Sequence, residues 1–127
     1  MTFEEYKKCH YFRWVVMAGH YLGTTQFISR FLRKNNNITY RRFYESLLQF
    51  AYDNPNTVLG KELIETINSL EATLDTKHPW GRILPDVRKN FAWDFEEATV
   101  ITIAKNRNQF YEEIKAFILS YLKIELE

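Results

Sequence analysis

Cys9, His10, His20 and His78 are the side chains in this 127-residue sequence that could hold a soft metal ion or pair as nucleophile and base. Their spacing argues against both. Cys9 and His10 are adjacent, so on a helix they point roughly 100° apart, and no CxxC or HxxxH pair occurs. His10 and His20 fall in an apolar stretch, where a core histidine with one hydrogen bond is the ordinary reading. Cys9 reads as a buried, inert thiol; having no second cysteine it forms no internal disulfide, which suits a reducing compartment. The carboxylate pairs Glu96-Glu97 and Glu112-Glu113 are neighbours that face different ways on a helix, so they read as helix-start and surface charges. Only four glycines occur, and none forms a phosphate-cradling loop. The expectation is a chain without catalytic, metal or cofactor-binding residues of its own.

Recognition is the remaining chemistry. Arg30, Arg33, Lys34, Arg41 and Arg42 form a basic run with no acidic residue between them, and Tyr40, Phe43 and Tyr44 lie beside it. Such a patch suits phosphates or an acidic partner, although a solvated helix–turn–helix corner has the same composition. In His78-Pro79-Trp80-Gly81-Arg82, Trp80 and Arg82 could extend a binding surface, or the segment could plug a long connection. Net charge is +1, so attraction of the whole molecule to nucleic acid or anionic membrane is not expected. A larger protein is the favoured partner, with nucleic acid second. The sequence is silent on oligomeric state.

These residues must be positioned by helices. Thr2 and Glu5 have capping-box spacing, and Phe3, Tyr6, His10, Trp14 and Met17 then recur on one helical face, with Lys7, Lys8 and Arg13 turned to solvent. The stretch from Phe12 to Leu32 carries large side chains on more than one face, which places it at the centre of a bundle. Gly19 and Gly23 predict a bend, or a stop with Thr24 or Thr25 capping a second helix that turns Phe27, Ile28, Phe31 and Leu32 inward. Thr39 caps a third helix built on Tyr40, Phe43, Tyr44, Leu47, Leu48 and Ala51, stopped at Asp53-Asn54-Pro55-Asn56. A fourth buries Val58, Leu59, Leu63, Ile64, Ile67, Leu70 and Leu74, leaving Lys61, Glu62, Glu65 and Glu71 exposed. Residues 76–93 lose periodicity and read as a long loop anchored by Trp80, Ile83, Leu84, Phe91 and Trp93. Asp94 and Glu97 open a fifth helix, in which the β-branched run 99–103 competes with strand, and a sixth carries Phe110 to Leu122.

The expected fold is therefore all-α: a compact orthogonal bundle of five to six helices with one long packed loop, a single domain over residues 1–127. No signal peptide or membrane span is expected, since Glu4 and Glu5 replace a basic leader and charges interrupt the longest apolar stretch. A soluble, cytoplasmic protein follows.

The segments TFEEYKKCHYFRWVVMAGHYLG, ITYRRFYESLLQF and WDFEEATVITIAKNRNQFYEEIKAFI cover most of the chain. Their order resembles the helical segment that follows the catalytic barrel in cobalamin-dependent radical SAM enzymes. That family's three-cysteine cluster motif and corrin-binding domain have no counterpart here, so no catalytic residue carries over. The resemblance implies a detached C-terminal region or small companion subunit that covers a substrate or docks on a larger enzyme.

Overall fold

The computed structural model describes residues 2–75 and 81–124. It is an all-α fold of six helices with one small antiparallel hairpin: α1 Phe3–Val16, α2 Gln26–Asn35, α3 Tyr40–Asp53, α4 Val58–Asp75, β1 Arg82–Leu84, β2 Arg88–Trp93, α5 Phe95–Lys105 and α6 Arg107–Tyr121. Among the described residues no helix is long and apolar enough to cross a membrane.

The helix starts follow from local hydrogen bonding. Thr2 Oγ1 accepts from Glu5 N–H at 3.1 Å while the Glu5 carboxylate accepts from Thr2 N–H at 2.8 Å, closing the capping box. Thr39 Oγ1 likewise accepts from Arg42 N–H. Asp94 stands at the start of α5 but makes no side-chain cap bond, and its carboxylate instead raises the pKa of Glu97 beside it. The run 99–103 is helical, within α5.

Gly19 and Gly23 produce a stop and restart. After α1 the chain makes a π-helical turn, Met17–Tyr21, then reverses through Gly23 at φ +92°. Thr25 precedes α2, yet its hydroxyl turns to Tyr44, and Thr24 donates to Ala18 O. Gly19 has no room for a side chain, since a Cβ there would lie 2.6 Å from the Tyr44 ring and 2.7 Å from Thr25 Oγ1.

The centre of the molecule is not the Phe12–Leu32 stretch. Trp14, Val15, Ala18 and Leu32 are buried, but Tyr21, Leu22, Phe27 and Phe31 are exposed. The hub is α3, packed against α1, α2, α4 and α6 through Phe43, Tyr44, Leu47, Phe50 and Ala51. Phe43 and Phe50 each meet the ring of Phe117 at 5.5 Å between centroids. From α6, Phe110, Ile114, Phe117 and Ile118 are buried as their spacing predicts, and Leu122 just after it is buried too. Tyr40, Ile64 and Leu74, expected inside, are each about two-fifths exposed.

Two corrections concern the region after α4. The long loop holds a hairpin, with Arg82 opposite Trp93 and a register shift after Ile83. Val87 N–H donates to Leu84 O, so Pro85 takes the second position of a tight turn. Gly81, at φ +110°, lies so close to Trp93 O that a Cβ would sit 2.2 Å away. The aromatic and aliphatic anchors expected here are only partly covered, with Ile83 and Phe91 exposed. The anchor is polar. Arg82 is buried and its guanidinium donates to Glu62 Oε1 at 2.6 Å, so Glu62 is also buried instead of facing solvent.

Candidate functional site

Arg30, Arg33 and Lys34 on α2, with Arg41 and Arg42 at the start of α3, are all exposed. Arg41 donates to Glu45 Oε1 at 2.7 Å across one helical turn. The corner between α2 and α3 is closed by backbone bonds from Asn36 N–H and Ile38 N–H to Leu32 O, with Asn37 in the left-handed region at φ 57°. Arg82 does not join these cations: it is buried against Glu62 on α4. Trp80 and His78 lie outside the described residues.

Beside the cations, α2 presents Phe27 and Phe31, which are 78% and 59% exposed. The sequence places both inward, and the structure turns them out. They form one wall of an apolar groove of about 360 Å³ whose other wall is α6, through Tyr111, Ile114 and Ile118. Lys115 stands on its rim. The floor includes Leu32, part of the buried core. Tyr111 fixes the geometry, because its hydroxyl donates to Thr24 O at 2.7 Å just before α2. The exposed side of α2 is thus apolar and cationic, with no acidic residue between Gln26 and Asn35.

The thiol and imidazoles are dispersed. Cys9 is exposed, contrary to the buried thiol expected from its neighbours. His10 on the same helix is buried, with its ring edge-on to Phe95 at 5.3 Å. Among the described residues no group of three or more histidine, cysteine or acidic side chains could hold a metal ion.

Burial pushes the His10 pKa down, and Arg13 nearby adds to this while Glu96 opposes it. With the folded value below the usual 6.5, the unfolded chain takes up a proton first as the pH falls. The contribution of neutral His10 is therefore complete above about pH 6.5 and is lost as the pH drops through the folded pKa. Urea midpoints are expected to fall between pH 7.5 and pH 5.5, and the fall should shrink in His10→Gln. An equal fall in the variant would assign the effect elsewhere.

His20 is set by the π-helical turn. Its Nδ1 lies 3.3 Å from both Ser29 Oγ and Tyr44 Oη, and Tyr44 Oη is 3.2 Å from Thr25 Oγ1. Burial raises the Tyr44 pKa, opposed by its hydrogen bonds with Ser29 and Thr25. The sequence assigns His20 one hydrogen bond in a core; the structure gives it a polar cluster at the edge of a second hollow.

No family model matches the sequence. The chain is 26% identical over 129 residues to 2-(S-pantetheinyl)-carbapenam-3-carboxylate methyltransferase of Streptantibioticus cattleyicolor, an alignment covering 93% of this chain and 19% of that enzyme. The chain thus spans about a fifth of the length of the curated relative it matches and is similar to one segment of a methyltransferase.

Proposed function

We propose that this chain is a non-catalytic helical interaction or substrate-covering module, equivalent to the C-terminal part or a companion subunit of a cobalamin-dependent radical SAM enzyme. The observation that carries this reading is the α2–α6 groove, where Phe27 and Phe31 face outward although neighbouring helices bury comparable side chains. Similarity to one segment of a methyltransferase supports it. The partner is the larger enzyme polypeptide, which would lay an apolar ridge in the groove and bring acidic residues to Arg30, Arg33 and Lys34. Catalysis belongs to that partner, and this chain supplies surface.

The test is co-elution of the full chain with a radical SAM polypeptide encoded beside it. Association at micromolar concentration is expected, and the doubly substituted Phe27→Glu/Phe31→Glu chain should bind at least about 30-fold more weakly, as for loss of a hot spot. No association of the unsubstituted chain would overturn the reading.

The exposed cations support a second reading, a small binding protein that uses its basic corner on nucleic acid or an acidic protein. Affinity for DNA or RNA that falls steeply with salt and survives the double substitution would favour it.

A further inference from the structure

We propose that the hollow beside the π-helical turn is a small-molecule site for a flat, uncharged aromatic group carrying one N–H or O–H donor, read by Nε2 of His20. This site is separate from the α2–α6 groove and does not depend on the docking reading. It has a volume of about 360 Å³, within the range of small-molecule pockets, and its walls include Phe12, His20, Tyr21, Tyr40 and Tyr44. The His20 ring meets Tyr40 at 5.0 Å, Tyr21 at 5.6 Å and Tyr44 at 5.7 Å between centroids, so the lining is mostly π surface. Arg41 is at the mouth, but its charge is engaged by Glu45 at 2.7 Å. A second anion is therefore not called for, and a neutral ligand fits better.

The hydrogen-bond cluster decides what His20 offers. Ser29 Oγ donates its proton to Gln26 O at 3.0 Å, and Tyr44 Oη donates its own to Ser29 Oγ at 3.3 Å. With the two protons placed this way, Nδ1 is the donor to both oxygens, and this tautomer is part of the proposal. In that tautomer the ring lone pair is on Nε2. Among the described residues Nε2 has no hydrogen-bond partner, and it lies on the side of the ring away from this cluster. The ring is carried on the π-helical turn Met17–Tyr21, where Gly19 leaves room for the Tyr44 ring. The result is an aromatic-walled hollow with one hydrogen-bond acceptor.

Indole and 1-methylindole are the probes, since they share a ring and differ in the donor. With the full chain labelled with ¹⁵N-histidine, His20 should show the Nδ1–H tautomer. Indole should shift its Nε2 signal and bind about fivefold more tightly than 1-methylindole, the worth of one neutral hydrogen bond. In His20→Phe, which keeps a ring wall and removes the acceptor, the two probes should bind alike. An Nε2–H tautomer, equal affinities for the unsubstituted chain, or no His20 shift up to about 5 mM indole would overturn the proposal. The tautomer and the two-probe comparison decide the matter even if His20→Phe fails to fold.

Discussion

Glu62→Ala is expected to lower the unfolding free energy by about 3–5 kcal/mol, the usual cost of removing one member of a buried ion pair. The side chains of Arg82 and Glu62 are 8% and 5% exposed, and the guanidinium reaches both carboxylate oxygens, at 2.6 Å and 3.5 Å. Truncation leaves the buried Arg82 guanidinium without its counter-ion. The pair itself is a different matter. Its mutual attraction roughly offsets the desolvation of two ions, so Glu62→Leu combined with Arg82→Met should lie much closer to the parent chain than the single substitution does. Urea titration of the parent, the Glu62→Ala chain and the doubly substituted chain gives the comparison. A single substitution costing under about 1 kcal/mol, or a double one as costly as the single, would show that the pair is wetter than its burial indicates. Amide exchange supplies a local readout, because releasing Arg82 should free the hairpin 82–93 before the helices open.

The second large effect is expected at Trp14. Its side chain has no exposed surface, and the indole N–H donates to Thr99 Oγ1 at 2.9 Å in the core. Trp14→Ala should cost about 3–5 kcal/mol through lost transfer energy and the cavity that remains. Trp14→Phe separates ring volume from the hydrogen bond. It keeps most of the apolar contact but strands the Thr99 hydroxyl, which costs about 1–3 kcal/mol. Thermal and urea unfolding should order the chains as parent, Phe, then Ala. If Phe proved as costly as Ala, the hydrogen bond and not the ring would dominate the site.

Helix starts and the core pattern were readable because they depend on neighbours in sequence. Thr2 and Thr39 cap as their spacing demands, and the stripe from Phe110 to Leu122 buries as a stripe should. What failed to read is long-range. Phe27 and Phe31 have the spacing of an inward face, and nothing in a periodicity tells a buried apolar face from an exposed one. Glu62 sits among charged residues, and its partner lies 20 positions away in a segment without periodicity. The hairpin escaped because β1 has three residues and the register shifts beside it. The candidate site was half legible. The cations on α2 and α3 lie on the surface, Arg82 belongs to the interior, and the glycines at 19 and 23 marked the turn that orients His20.

The bond from Trp14 to Thr99 also spans time. Its two ends are 85 residues apart, and that between Tyr111 and Thr24 spans 87. At ribosomal rates of about 5–20 residues per second, some 4–17 s separate the synthesis of the indole from that of the hydroxyl that will receive its proton. During that interval the Trp14 indole is without the acceptor it has in the folded core, so closure of this interior waits for the residues of α5.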